Sequence, residues 1–350
     1  MRTIAARIRT IALCGVASIL WAGLCVPGQA KPVFVTIDVS GADATSAQGV
    51  NAGGDVAGQY QDDAGFHGFV RAGDGTIATF DPSGSYGTYV GGIDDSGAIT
   101  GTYTDGTGQG GDNTLHGYVR SNGGAISVFD APGAGTMNGL GTTARGINNK
   151  GAIVGYYEDS GFVSHGYVLS KGGTFAEFDA PGAGTGNSQG TFPVAINAKG
   201  VVTGSYVDGN GIFHGLVRTP DGTITEFDPP GSFSTGGNAI NAKGTIAGEY
   251  DDGTGLHGFV RTSDGTITAF DPPGSTATYA LGISNNGMIA GYYQNGSGYV
   301  GYVRAAGGKI KTFTVPGATT IFANGIGDKG GLIAGEYFDD AGAHGFLRSK

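Results

Sequence analysis

The sequence predicts an all-β fold from three observations: an extreme glycine content, a set of repeated motifs, and complementary half-repeats at the two ends. Of the 350 residues, 72 are Gly and 12 are Pro. Long helices are disfavoured because each interior Gly costs a helix roughly 1 kcal/mol. No Gly-X-Y triplet runs through the chain, which excludes collagen. With 39% hydrophobic residues, the chain is also too apolar to be disordered.

Three short motifs recur along the chain and define the repeat. The first is His-Gly-x-Val-Arg, spaced by 49 residues over the first three intervals and by 43 or 44 later. It contains all six histidines: His67, His116, His165, His214, His257 and His344. A seventh copy begins with Val300 instead of His. The second motif is Phe-Asp-Pro, as at Phe80, and the third is the Gly-Ile-Asn segment of residues 146–157.

Each repeat predicts four short strands joined by turns. In the repeat Ala239–Gly274 the first strand lies around Ala239–Asn241 and the residues before it. The other three lie at Thr245–Tyr250, Leu256–Arg261 and Thr266–Phe270. The segment Asn241–Gly244 joins the first two strands. Asp264 and Gly265 form a two-residue hairpin signal between the last two. Pro272 ends the fourth strand because Pro cannot donate to a ladder.

The period and the four strands are typical of the blades of a β-propeller. The order of the motifs supports this, because a lone strand-four motif lies in Val33–Gly41 and the chain ends after a strand three, His344–Lys350. A closed ring in which residues 33–41 complete the last blade would leave no exposed edge. We therefore predict a seven-bladed β-propeller with four strands per blade, the last blade closed by the N-terminal strand. An open β-solenoid is the alternative, and it gives no reason for complementary ends.

Residues 1–30 have the pattern of a signal peptide. A basic start precedes the uncharged apolar run Thr10–Val26, and the small residues Gly28 and Ala30 suit a signal-peptidase site. The run is slightly short for a membrane-spanning helix, which is the alternative. Cleavage after Ala30 would leave residues 31–350 as one repeat domain without Cys, Trp or a membrane span. We expect an exported monomer that is periplasmic, attached to the cell surface or secreted.

The charge balance excludes some classes of partner. The chain has 19 Lys and Arg against 29 Asp and Glu, a formal net charge of −10. Loss of the signal peptide, whose charges are Arg2, Arg7 and Arg9, would make the mature chain more acidic still. Such a chain is repelled by nucleic acid and by anionic membrane surfaces. The same acidity is compatible with cation binding or simply with solubility.

The repeats resemble the bacterial extracellular HAF repeat. The resemblance lies in Gly-Ile-Asn-x-x-Gly-x-Ile-x-Gly-x-Tyr followed by His-x-Phe, and it spans Pro32–Lys350. This chain is a His-Gly-Phe variant, with Gly68 and its equivalents in place of the middle Ala. The resemblance implies an exported repeat protein. It implies no established activity and carries over no catalytic residue.

Connections from strand two to strand three, and from strand four to the next strand one, should emerge on one face, which we call the loop face. Scaffolded loops are where binding usually resides. The candidate ligand-binding residues there are Asp105, Asp112, Asp159, Tyr89, Met137 and Phe192. Carboxylates beside large side chains suit a carbohydrate or a hard cation such as calcium. The alternative is that Asp and Gly only form turns and the aromatic rings fill gaps between blades.

The six histidines occupy like positions on separate blades, too far apart to bind one metal ion unless they line the axis. We expect them to be structural, each bonding the Asp of its own loop, and we predict no catalytic residue and no cofactor other than calcium.

The predicted function is an exported non-enzymatic protein that binds a glycan, a cation or a protein partner on the loop face. The alternatives are a polysaccharide lyase or hydrolase using Asp105, Asp112 or Asp159 with His116 or His165, and a surface or matrix structural protein without a specific ligand.

Overall fold

The computed structural model describes residues 31–106 and 113–350. All regular secondary structure in these ranges is β-strand. The prediction of an all-β fold is confirmed. The predicted signal peptide, residues 1–30, and the candidate Asp112 lie outside the described residues. Within the described ranges, no helix has the length and hydrophobicity of a membrane span.

After β1 (Val33–Ile37), the strands follow one another in sets of four, which we call units. The first unit is β2 (Ala44–Val50), β3 (Val56–Asp62), β4 (Gly65–Arg71) and β5 (Ile77–Phe80). The second is β6 (Ser85–Ile93), β7 (Ile99–Asp105), β8 (Leu115–Arg120) and β9 (Ile126–Phe129). The third is β10 (Gly141–Ile147), β11 (Ile153–Glu158), β12 (Ser164–Leu169) and β13 (Phe175–Phe178). The fourth is β14 (Gly190–Ile196), β15 (Val202–Val207), β16 (Phe213–Arg218) and β17 (Ile224–Phe227).

The later units have the same form. The fifth is β18 (Ser234–Ile240), β19 (Ile246–Asp251), β20 (Leu256–Arg261) and β21 (Ile267–Phe270). The sixth is β22 (Ala277–Ile283), β23 (Ile289–Asn295), β24 (Gly298–Arg304) and β25 (Ile310–Phe313). The seventh has β26 (Thr320–Ile326), β27 (Leu332–Asp339) and β28 (Gly342–Ser349). Its fourth strand is β1, which pairs antiparallel with β28, Val33 opposite Ser349 and Ile37 opposite Gly345.

Hydrogen bonding groups the strands of the described residues into three sheets, of 8, 12 and 8 strands, rather than seven separate ones. The links between units within a sheet are single parallel pairs, such as Gly141 with Leu115 and Ser164 with Gly190. Glycine permits this approach: a Cβ on Gly141 would lie 2.1 Å from the carbonyl oxygen of Leu115. The backbones of neighbouring units therefore meet where the third strand of one lies beside the first strand of the next.

The first strand of each unit, which we call the inner strand, contacts the inner strand of the next unit. These contacts run through β2, β6, β10, β14, β18, β22 and β26 in order, and β26 in turn contacts β2. The seventh unit also meets the first through the parallel pair of Ala44 with Ala343.

Glycines and aromatic rings pair across the strands to form the core of each unit. In the fifth unit Gly248 lies opposite Phe259, and Gly258 lies opposite Phe270. A Cβ on Gly248 would lie 2.7 Å from the Phe259 ring, and one on Gly258 would lie 2.8 Å from the Phe270 ring. Both motif glycines therefore leave room for a ring of the adjacent strand.

The turns at the opposite face, which we call the turn face, are longer than the predicted two-residue hairpin. The amide of Gly265 donates to the carbonyl of Thr262, and the amide of Thr262 donates to the carbonyl of Thr266. Gly265 has a φ of +95°. A four-residue turn that ends in a left-handed glycine is the form that favours Gly at this position. The Asp264-Gly265 pair is therefore the end of a longer loop.

Arginines of the first motif tie adjacent units together. The guanidinium of Arg261 lies 4.9 Å from the ring centroid of Phe227, which belongs to the preceding unit. Four further pairs repeat this geometry: Arg120 on Phe80, Arg218 on Phe178, Arg304 on Phe270 and Arg348 on Phe313. Cation–π contacts of partly desolvated groups contribute about 0.5–2 kcal/mol each.

Candidate functional site

The two described carboxylates predicted to bind ligand are engaged within their own loops. Asp105 Oδ1 accepts the amide of Thr114 at 2.9 Å. Asp159 Oδ1 accepts the amides of Gly161 and Val163 at 2.8 and 2.9 Å. The Val163 amide is the main cause that lowers the pKa of Asp159. Both side chains thus act as turn residues.

Each motif histidine lies between two carboxylates. In the first unit, His67 Nε2 is 3.2 Å from Asp62 Oδ1 of its own loop, and His67 Nδ1 is 2.8 Å from Asp81 Oδ2 of the Phe-Asp-Pro motif. The ring of Tyr60 stacks on the imidazole, with centroids 5.1 Å apart. We call this arrangement the histidine clamp. The repeat pattern predicted the contact with the loop Asp but not the second carboxylate.

The clamps favour the protonated imidazole in three units. For His257, the hydrogen bond to Asp271 is the main cause that raises the pKa, and partial burial opposes it. The bond to Asp38 has the same effect on the pKa of His344. For His67, partial burial is the largest influence and lowers the pKa, but the carboxylates of Asp81 and Asp62 together outweigh it. An imidazolium can donate from both nitrogens, which a neutral ring cannot.

The sixth unit shows that the clamp is one coupled group. Val300 replaces the histidine, Thr314 replaces the aspartate of the Phe-Asp-Pro motif, and Asn295 replaces the loop aspartate. A carboxylate pair without its imidazole would leave two like charges close together. The joint loss of all three groups indicates that the carboxylates are present to hold the histidine.

The clamps do not form metal centres. Among residues 31–106 and 113–350, no group of three or more His, Cys, Asp or Glu side chains is arranged to hold a metal ion. Calcium binding by the loop acids stays a prediction.

Every inner strand contains a β-bulge at the same position, where one residue drops out of the pairing register. A bulge redirects a side chain and is common beside binding sites. The bulge residues are Gln48, Gly91, Arg145, Val194, Asn238, Leu281 and Asn324. All seven line one cavity of about 330 Å³, which we call the middle cavity. The bulges thus place seven different side chains around one space.

Two further cavities share lining residues with the middle cavity. One, of about 210 Å³, is lined by the turns between the first two strands of the units and includes Asn148 and Asn197. The side-chain amide of Asn148 donates to the backbone carbonyl of Asn197 at 2.9 Å. In the same way, the side-chain amide of Asn197 donates to the backbone carbonyl of Asn241 at 3.0 Å. These bonds link one unit to the next and account for the Asn of the third motif.

The other neighbouring cavity, of about 390 Å³, lies among the first three units, and we call it the loop-face cavity. Its polar and aromatic lining residues include Gln48, Gln59, Tyr89, Thr102, Arg145 and Tyr156. The side chain of Gln59 accepts the backbone amide of Val90 at 3.3 Å, which fixes its position. With Thr143, which also lines it, this cavity combines two phenol rings, two carboxamides, two threonine hydroxyls and one cation.

The structure brings only some of the predicted residues to this cavity. Tyr89 lines it, and the Phe192 ring packs against Tyr156, with centroids 5.1 Å apart. Met137 is 47% exposed on a loop and is not part of the lining. Neither Asp105 nor Asp159 lines it. The predicted cluster of acids and large side chains is therefore divided between loop turns and the cavity.

Comparison with solved structures supports a propeller-like fold. A catalytically inactive variant of virginiamycin B lyase from Staphylococcus aureus, solved with quinupristin, matches with a TM-score of 0.59 and 16% identity, over 91% of this chain and 99% of that one. Puromycin hydrolase matches with a TM-score of 0.59 and 13% identity, over 87% of this chain and 51% of that one. The β-propeller domain of the Trilobed protease from Pyrococcus furiosus matches with a TM-score of 0.53 and 8% identity, over 88% and 96%. At these identities the likeness extends to the fold alone.

Sequence comparison adds no family. No protein-family model matches this chain, and no curated protein sequence matches it. The resemblance to the HAF repeat stays a prediction.

Sequence reasoning missed Gln48, Arg145 and Tyr156. A usable signal was the position just before Gly-Ile-Asn in the third motif, which holds Arg145 in one repeat and uncharged residues in the others. A variable position inside an otherwise regular motif marks a side chain that the fold itself does not require. The candidates on the loop face included Tyr89 of this cavity, but not these three side chains.

Proposed function

We propose that the chain is a closed seven-bladed β-propeller, each unit being one blade, that binds a carbohydrate in the loop-face cavity. Closure is supported by the pairing of β1 with β28 and by the contact of β26 with β2. The exported location expected from residues 1–30 and the HAF-like repeats is part of the same proposal. A mature exported protein would meet saccharides outside the cytoplasm.

The observation that carries the carbohydrate proposal is the chemistry of the lining. Tyr89 and Tyr156 offer ring faces for the C–H surface of a sugar, and Gln48 and Gln59 offer both hydrogen-bond donors and acceptors. Few convergent polar groups around aromatic walls are the general form of a small-molecule site. A cation is the less favoured ligand because none of the described carboxylates lines this cavity.

Binding is proposed rather than catalysis. Among the described residues, the acid–base candidates of the alternative, His116 with Asp105 and His165 with Asp159, belong to histidine clamps. His116 Nδ1 lies 2.9 Å from Asp130 Oδ1 and its Nε2 lies 3.4 Å from Asp105 Oδ2. Both ring nitrogens already have partners, and the same group recurs in six units. The neighbours named as a lyase and a hydrolase share the fold at too low an identity to transfer a reaction.

The test is a glycan array probed with residues 31–350, followed by titration calorimetry with the best ligand. Tyr89→Ala and Tyr156→Ala should each weaken binding by about tenfold or more, because each removes one wall of the cavity. Phe233→Ala is the matched control, since Phe233 is 64% exposed and does not line the cavity. Equal affinity in all variants, or no glycan bound by the wild type, would exclude this function.

A further inference from the structure

Arg145 differs from every other arginine of the described chain. Arg71, Arg120, Arg218, Arg261 and Arg304 each donate to the carbonyl of the following residue. Arg348 lies over the ring of Phe313. Arg145 makes no hydrogen bond, ion pair or ring contact with the described residues, and it is exposed. Its guanidinium has five donors available.

The position of Arg145 concentrates this positive charge at one place. It is the bulge residue of β10 and lines both the middle cavity and the loop-face cavity. Among residues 31–106 and 113–350, no Lys, Asp or Glu and no other Arg lines either cavity. In a chain of net charge −10, these two cavities therefore carry one unneutralised cation.

The neighbouring bulge residue brings a second backbone close to that of Arg145. Gly91 occupies the equivalent position of β6, and a Cβ there would lie 2.6 Å from the carbonyl oxygen of Ala144. Close approach of the backbones thus requires glycine at this site, so position 91 places no side chain beside Arg145. Tyr89 and Tyr156 line the loop-face cavity together with Arg145.

We propose that the ligand of the loop-face cavity is an acidic saccharide whose carboxylate is bound by Arg145. The inference rests on the proposed carbohydrate function and names the class of sugar. A planar guanidinium with free donors matches a carboxylate in a bidentate pair. The phenol rings and the carboxamides hold the sugar ring beside it. A uronic acid residue within an oligosaccharide has both parts.

The test compares two ligands that differ only in charge: an oligogalacturonate and the same oligomer fully methyl-esterified. The wild type should bind the acidic oligomer about ten- to hundredfold more tightly in titration calorimetry. Its affinity should fall with added salt, because the contact is electrostatic. The neutral oligomer should show little dependence on salt.

The variant is Arg145→Gln, which the fold accommodates because Gln48 occupies the same bulge position in the first unit. It should lose the preference for the acidic oligomer, so that the ratio of the two affinities falls to about one and no longer depends on salt. Lys150→Gln is the matched control: it removes one positive charge from an exposed turn outside both cavities and should leave both affinities unchanged.

The possible failures are distinguishable. Equal binding of both oligomers by the wild type, or an unchanged preference in Arg145→Gln, overturns the acidic-saccharide inference and leaves the carbohydrate function standing. Binding of neither oligomer by the wild type overturns this inference, and failure across the whole glycan array then excludes the carbohydrate function itself.

Discussion

The Nδ1 atom of His344 lies 2.9 Å from Oδ1 of Asp38, although 306 positions separate these residues along the chain. In the other five histidine clamps, the same contact joins residues that are 14 positions apart. The two ends of the chain thus rebuild a contact that is local everywhere else. Asp38 directly follows β1, so the contact depends on the pairing of β1 with β28.

The first prediction concerns the pH dependence of the clamps. His67, His257 and His344 have raised pKa values in the folded chain. Their stabilising contribution is therefore complete below the unfolded pKa of about 6.5 and is lost as pH rises through the folded pKa. Replacing all three by Gln should make stability fall less between pH 6.5 and 8.5, as measured by urea unfolding. Val300→Gln, in the unit without a clamp, should leave the wild-type slope unchanged, and an unchanged slope in the triple variant contradicts the prediction.

The second prediction tests closure by the N-terminal strand with two residues of β1. Ile37 is 1% exposed, whereas Val35 is 38% exposed. Ile37→Ala should lower the free energy of unfolding by about 2–5 kcal/mol, the usual cost of truncating a buried Ile. Val35→Ala should cost less than about 1 kcal/mol. Equal effects of the two substitutions in urea melts would show that β1 does not complete the seventh unit in solution.

The repeat made much of the fold predictable. Strand three of the fifth unit was expected at Leu256–Arg261 and lies there, because its apolar alternation and the following turn delimit it on both sides. Strand one was expected around Ala239–Asn241 and the residues before it, without a defined start, and it lies at Ser234–Ile240. Its first half contains Gly236 and Gly237, which carry no hydrophobic pattern. The merging of units into three sheets depends on close backbone approach at Gly141 and its equivalents. The pattern of apolar and polar side chains does not predict such a backbone contact.

The site was less predictable than the fold. Tyr89 was identified because it is a large residue in a loop-face segment. Arg145 was not, because a β-bulge breaks the alternation that assigns side chains to faces. The second carboxylate of the clamp, such as Asp81 for His67, directly follows a different strand from the one that contains the histidine. The joint absence of both groups at Val300 and Thr314 is the sequence signal that links them.

The third prediction concerns the motif glycines of β18 and β19. A Cβ on Gly248 would lie 2.0 Å from the carbonyl oxygen of Gly236, whereas one on Gly236 would meet nothing closer than 3.8 Å. Gly248→Ala should destabilise the protein by about 1–3 kcal/mol or more, since the contact is with backbone that cannot move freely. Gly236→Ala, the control on the facing strand, should be neutral or slightly stabilising. A Gly248→Ala protein as stable as Gly236→Ala would refute the close approach of these strands.

The last prediction concerns Glu249, which lies between the fifth and sixth units. Its carboxylate accepts a hydrogen bond from the amide of Asn238, whose Nδ2 also donates to the carbonyl of Ala280 at 3.2 Å. Removal from water raises the pKa of Glu249 to about 7, although the bonds from Asn238 and the Ala280 amide act to lower it. The contribution of Glu249 to the free energy of unfolding is therefore greatest below the unfolded pKa of about 4.3. It declines as the pH rises to about 7, because the unfolded chain releases this proton at a lower pH than the folded chain does.

Glu249→Gln should remove most of that decline, since a carboxamide imitates the protonated acid at every pH. Between pH 4.5 and 7, the wild type should lose up to about 3 kcal/mol more stability than the variant in urea melts. The control is Glu336→Gln, the same substitution at the same repeat position of the seventh unit. It should follow the wild-type profile over this range. A Glu249→Gln profile that parallels the wild type would mean that Glu249 is ionised in the folded protein throughout, and that water reaches the boundary between β19 and β22.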